Sequence, residues 1–187
     1  MSTVTTPKFR VSYPAVFKAR TNDLNGKDEY GLVALFPKDA DLSVLKAAAQ
    51  EAIEKKWGKD KSKWPSNRRN PFRDQKEKEK DGRLPLGHEE GAIFINLKSQ
   101  QRPGVVDQSL SPILDELEFY SGCWARASVR AYAYDQKGNK GVSFGLINVQ
   151  KVSDGDPLGG RSRPEDDFTP IKNESGTTPT NTDDLFN

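Results

Sequence analysis

The sequence predicts a mainly β protein, a partly open barrel of five to six strands with one α-helix. Three observations lead there. Several short runs rich in β-branched and aromatic residues are separated by turn signals, one segment alone has helical periodicity, and a run near the end alternates perfectly between large and small side chains. Two appendages complete the picture: a long basic loop and a disordered acidic tail.

The first strand is predicted from Phe9 to Arg20, bent near Pro14, with Val11, Tyr13, Ala15 and Phe17 on one side and Arg10, Ser12, Val16, Lys18 and Arg20 on the other. An Asn-Gly turn in "TNDLNGKDEY" leads to a second strand over 29–36, so the two form a hairpin. The helix follows in "DADLSVLKAAAQEAIEKKWG". Asp41 can cap it, Leu42, Leu45, Ala49, Ile53 and Trp57 recur at helical spacing, and Gly58 suits its end. Residues 59–90 are charged and broken by Pro65, Pro71, Gly82, Pro85 and Gly87, which predicts a long loop. "AIFINL" (92–97) is a third strand. A connection follows, with a short strand or turn near Val105 and a docking segment near 113–117. Two longer strands, 122–134 and 142–152, close the body through the hairpin loop "DQKGNKG".

Residues 1–152 thus form one domain and 153–187 a tail poor in apolar residues, disordered from about Gly159 onward. The charge divides the same way. Residues 1–152 hold 26 Lys+Arg against 19 Asp+Glu, whereas 153–187 hold 3 against 8, which the net +2 conceals. A basic body calls for a polyanionic partner, and an acidic tail on the same chain competes for it. Strands, one helix and a basic surface fit a small OB-fold, the barrel that binds oligonucleotides. Spacing alone leaves a flat α+β sheet as the alternative.

"WARASVRAYAY" (124–134) carries the functional argument. As a strand it presents Trp124, Arg126, Ser128, Arg130, Tyr132 and Tyr134 on one face, and Ala125, Ala127, Val129, Ala131 and Ala133, continuing from Cys123, on the other. Single-stranded nucleic acid offers phosphates to cations and flat bases to rings, so a surface that holds it without reading it interleaves the two. Rings packed against the helix and arginines lying along apolar surface are the structural alternative, which this strand alone leaves open. The first strand adds Arg10, Lys18 and Arg20 on one face. The loop adds "KWPSNRRNPFRD", in which Trp64 and Phe72 flank Arg68, Arg69 and Arg73. The expected set is therefore Arg126, Arg130, Arg68, Arg69 and Arg73 on phosphates, with Trp124, Tyr132, Trp64 and Phe72 stacking bases and Tyr134 beside them. The tail ends in "NTDDLFN", where Asp183, Asp184, Leu185 and Phe186 make an acidic tip with an apolar hook for a partner's basic-rimmed pocket or for this chain's own groove.

"YSGCWARASVRAYAYDQKGNKGVSFGLINVQKVSDGDPLGG", with "RPGVVD" and "NPFRD", resembles a family of bacteriophage single-stranded DNA-binding proteins, over most of residues 8–168. The resemblance implies an OB-fold that binds single-stranded DNA without strong sequence preference in phage replication or recombination. It also implies a tail acting like the acidic, Phe-bearing tips of bacterial and T7-like phage single-strand binding proteins, which recruit replication or recombination proteins. Asp183, Asp184 and Phe186 match those tips in kind, although Asn187 follows where the bacterial pattern ends on Phe.

Catalysis is not expected. His88, the one histidine, stands in "GHEEG" without a metal-ligand pattern, the single Cys123 excludes a cysteine-rich zinc site, and no Walker-type phosphate loop is present. A metal-dependent nuclease of scattered carboxylates is the enzymatic alternative, and a protein-interaction or assembly module with an incidental basic surface the non-enzymatic one. No cofactor or metal is expected. No signal peptide or run long enough to span a bilayer is found, so the expected location is the host-cell cytoplasm, with no membrane partner and with a homodimer allowed.

Overall fold

Why the alternating run becomes barrel wall is visible in what its small face touches. The computed structural model describes residues 3–23, 26–159 and 168–171. Its strands are β1 (Val4–Thr5), β2 (Phe9–Thr21), β3 (Asp28–Leu35), β4 (Arg73–Asp74), β5 (Ile93–Ser99), β6 (Gly104–Val106), β7 (Trp124–Gln136) and β8 (Asn139–Ser153), and its helix is α1 (Ser43–Trp57). Five strands close in a ring, with β7 beside β2, β2 beside β3, β3 beside β5, β5 beside β8, and β8 back on β7. All of these pairings are antiparallel except β5–β8. Two seams are short: β2–β7 joins at Phe9↔Ala125 and Arg10↔Trp124, and β5–β8 at Leu97↔Phe144 and Lys98↔Gly145. The result is the partly closed five-stranded barrel expected, not a flat sheet.

The β7 alanines point inward, with Ala125, Ala127 and Ala131 all nearly inaccessible, because a barrel this narrow is filled by Phe9, Phe36 and Phe144 from other elements and has room for little else. Phe9 and Phe36 meet edge-on at 5.6 Å. Helix α1 sits between β3 and β5 in the chain and packs on β7 through Leu45, Ala48, Ala49 and Ala52, where small residues allow close approach. Asp41 accepts the Ser43 amide at 2.9 Å, and this hydrogen bond lowers its carboxyl pKa. Gly58 closes the last turn with φ +85°. Residues 59–90, expected to be a long loop, carry only the two-residue β4 and two short 3-10 turns, and are held down by Gln75, whose buried amide donates to the Phe36 and Ile93 carbonyls at 3.0 and 2.9 Å.

Two sequence expectations are corrected. Strict alternation on β2 fails because a bulge at Tyr13–Pro14 inserts one residue, with Tyr13 at φ +46°. Val16 therefore turns into the core with Val11, while Tyr13 is exposed. The final hairpin loop is also shorter than expected, since pairing continues to Gln136↔Asn139 and leaves Lys137 and Gly138, both at positive φ, as a two-residue turn. Cys123 is core as expected. Burial pushes its thiol pKa up to about 11, which keeps it protonated and unreactive near neutral pH.

The start of the segment read as tail is fastened to the barrel. Tyr120 Oη donates to Asp154 Oδ1 at 2.9 Å, Arg10 Nη2 donates to the Asp156 carbonyl at 2.6 Å, and the Leu158 amide donates to the Ser121 carbonyl at 3.0 Å. This strap lies so near Gly122 (φ +116°) that a Cβ there would stand 2.2 Å from the Asp156 oxygen. Gly122→Ala combines that clash with a backbone conformation alanine resists, and should lower the melting temperature by about 3–10 °C in a calorimetric scan. An unchanged melting temperature would show the strap to be loose.

Candidate nucleic-acid interface

In an OB barrel the outer face of the second and third strands, with the loops joining strands 1–2 and 4–5, is where a strand of nucleic acid lies. Here those strands are β3 and β5, and the loops are 22–27 and the 137–138 turn. Two grooves mark this face. One, of about 540 Å³, opens beside the short β5–β8 seam and is lined by Lys98, Gln101, Arg130, Tyr132, Gly145 and Ile147. The other, of about 330 Å³, runs over β2 and β3 past Tyr13, Arg20, Gly31, Val33 and Asn96. Glu29 and Lys98 line both, so the two form one track.

Alternation on β7 aims the large face at this track. Tyr132 is 39% exposed and lies 6.4 Å from Tyr134, their planes tilted by 52°. The Tyr134 hydroxyl lies over Gly141, and Arg69 comes to the same glycine from the loop. Arg69 is held there by backbone: its amide donates to the Lys140 carbonyl at 2.8 Å, its carbonyl accepts the Val142 amide at 3.2 Å, and its guanidinium donates to Asn139 Oδ1 at 3.2 Å. A continuous row of Arg69, Tyr134, Tyr132, Arg130 and Lys98 results. The Arg130 guanidinium has no hydrogen bond or ion pair among the described residues, so its charge is available to an anion. One carboxylate interrupts the row: Glu29 Oε2 lies 2.9 Å from Lys98 Nζ and accepts from Asn22 Nδ2 at 3.0 Å.

Rings and cations of β7 that run to Lys98 on β5 of a five-stranded barrel agree with the comparisons. A family model described as Enterobacter phage Enc34, ssDNA-binding protein, matches residues 2–179. The chain belongs to the Enc34 phage ssDNA-binding family. Protein p50 of Acyrthosiphon pisum secondary endosymbiont phage 1 is 34% identical over 160 residues, 81% of this chain and 83% of its own. The structure of the Enc34 phage protein in complex with ssDNA superposes with a TM-score of 0.65 at 22% identity, covering 84% of this chain and 89% of that one. The bacteriophage T7 single-stranded DNA-binding protein gp2.5 follows at 0.56 and 12%, covering 87% and 98%. At these identities the solved structures show the fold alone, and they place it among Enc34-like barrels.

Against this family fold the expected residues separate into groups. Arg130 and Tyr132 line the track, and Tyr134 and Arg69 continue the row from Tyr132 at its edge. Trp124 is on the outer face of β7 as expected but is covered there: Lys8 Nζ lies 5.0 Å and the Arg10 guanidinium 5.9 Å from its ring, and the strap passes its indole edge at Gly155. Arg10 itself is committed to the Gly122 and Asp156 carbonyls. Arg126 donates to Gln150 Oε1 at 2.8 Å in a separate small groove near β6. Lys18 is exposed and pairs with Glu116 at 3.4 Å.

The loop divides too. Phe72 is half-buried at the barrel end, edge-on to Phe144 at 5.8 Å, and lines the groove beside α1. Arg73 grips Glu77 and lies 5.3 Å from the Phe94 ring. Trp64 donates to the Gly58 carbonyl at 2.8 Å under the Arg68 guanidinium and lines a groove against α1. Sequence reasoning missed Lys98 and Tyr13 as track residues and placed Arg20 with Arg10 and Lys18 on one face of the first strand. Lys98 was legible, because Asn96 and Lys98 are the polar positions of "AIFINLKS" at a spacing of two. Arg20 and Tyr13 depended on the β2 bulges. Asp183, Asp184, Leu185 and Phe186 lie outside the described residues.

Proposed function

We propose that this chain binds single-stranded DNA without reading its sequence, in the host-cell cytoplasm during phage replication or recombination. The row of rings and cations from Arg69 to Lys98 on the outer barrel face, interrupted only by Glu29 at Lys98, carries this reading. Arg69, Arg130, Lys98 and Arg20 follow phosphates, Tyr132 and Tyr134 stack on bases, and Tyr13 lines the far end. Stacking accepts any base, because each has a flat face. A phosphate arriving at Lys98 competes with Glu29 for the same ammonium. The protein acts by binding and not by cleavage, and its tail tip (Asp183, Asp184, Leu185, Phe186) recruits replication or recombination proteins. Family membership and the likeness to a barrel solved with ssDNA support the reading.

Counterion release supplies the test. Fluorescence anisotropy with labelled oligo-dT should give a log–log salt slope of about −0.7 per phosphate neutralised, and Lys98→Ala should shallow it by about 0.7 while Lys18→Ala leaves it alone. A slope near zero in the unaltered protein would favour the protein-interaction alternative.

A further inference from the structure

The segment between β6 and β7, residues 107–121, is a rigid knob. Ile113 and Phe119 anchor it from beneath, 5% and 2% exposed, with Phe119 edge-on to Phe17 at 6.5 Å. Carboxylates set its turns: Asp107 accepts the Ser109 and Ser111 amides and Asp115 accepts the Leu117 amide. The same turns aim Leu114 and Leu117 into solvent, 80% and 83% exposed, and Leu110 in the same segment is exposed too. No Lys or Arg occurs from Pro103 to Ala125, whereas Asp107, Asp115, Glu116 and Glu118 do, so the leucines stand on an acidic base, with Lys18 paired to Glu116 at 3.4 Å. Exposed leucines fixed by hydrogen-bonded turns form a surface that excludes water on contact, and their acidic surround selects a cationic partner.

A socket of that chemistry exists on this chain. Between α1 and residues 64–72 lies a groove of about 440 Å³ with an apolar floor of Ala49, Ile53 and Val142, and with Lys46, Arg68 and Arg69 at its rim. The knob cannot enter its own socket. It is tied to the far end of β8, where Gln150 Nε2 donates to the Asp107 carbonyl at 3.1 Å and Gln108 donates to the Val152 carbonyl, while the socket lies at Val142. Ten residues of strand separate the two, a contour of about 33 Å. We infer that the knob of one copy seats in the socket of a second copy of this chain. Such a contact is head-to-tail and leaves a free knob and a free socket, so it repeats into an open chain of copies. Arg69 belongs to both the socket rim and the proposed DNA track. Resting on the single-strand reading, the inference is that successive copies line up along one strand.

The full-length protein can be tested with and without DNA. In a DNA-free mixture of ¹⁵N-labelled and unlabelled protein, a zero-length carbodiimide should join Lys46 of one chain to Asp115 or Glu116 of the other. The variant Leu114→Glu with Leu117→Glu, melting as the unaltered protein does, should lose that product. On DNA it should keep its affinity for an oligo-dT that holds one copy and lose at least tenfold on a poly-dT lattice that holds many. The inference is overturned if Lys46 joins Asp183 or Asp184 instead, if the product survives the leucine changes, or if lattice affinity is unchanged. Failure of the unaltered protein to bind oligo-dT would overturn the single-strand reading, and the DNA-free cross-link would still decide the contact.

Discussion

Tyr132→Ala should reduce affinity for oligo-dT by roughly 5- to 150-fold, since a base–ring stack is worth about 1–3 kcal/mol and about 1.4 kcal/mol is tenfold. The ring points away from the core on a strand whose opposite face is the packed alanine stripe, so its loss opens no cavity. The melting temperature should stay within about 2 °C. Tyr132→Phe, which keeps the flat face, should bind nearly as well, and Trp124→Ala should change affinity far less because that indole already lies beneath Lys8 and the strap. Equal losses at Tyr132 and Trp124 would show the track to run elsewhere along β7. Anisotropy titrations of the three variants, each paired with a thermal melt, separate these outcomes.

The fold was legible where the pattern was local. β7 reads correctly because its alternation is unbroken from Trp124 to Tyr134: the extra residue near Ile147 falls on its partner β8, so the pairing shifts without turning β7 over. β2 reads incorrectly past Ser12 for the mirror-image reason. Its own chain carries the extra residue, and nothing in "SYPAVF" fixes which residue leaves the ladder. The helix, the long loop and the docking of residues near 113–117 were within reach of periodicity and turn chemistry. Docking uses Ile113 and Phe119, however, and leaves Leu114 and Leu117 outside.

The site was legible as a composition and not as a map. One strand face does carry rings and cations outward, but a barrel wall curves, and what covers each position comes from distant sequence. Residues 154–156 cover Trp124 and engage Arg10, a separation of 146 residues for the Arg10–Asp156 bond. Arg73 was counted as a free cation although Glu77, four residues on, was in view. Phe72 and Arg69 are three residues apart in one loop and take opposite roles, plug and track, because the loop lies across the barrel end at that point.

Phe144→Ala should be the most damaging single change in the barrel, at about 3–5 kcal/mol. The ring is inaccessible, on β8 opposite Ala131 of β7 and Leu97 of β5, so it stands where the short parallel seam closes the ring of strands. Ala131 opposite it is too small to fill the space left. Phe72 also rests edge-on against it. The cavity therefore loosens residues 64–72, and with them the pairing of Arg69 to Lys140 and Val142 that brings this arginine to the track. Urea unfolding should show the stability loss. Whatever fraction remains folded at low temperature should bind oligo-dT more weakly than Phe72→Leu, which keeps much of the plug's volume. If Phe144→Ala lost stability but bound per folded molecule as the unaltered protein does, the loop would be anchored by its backbone pairing alone, and the plug would have no part in positioning the interface.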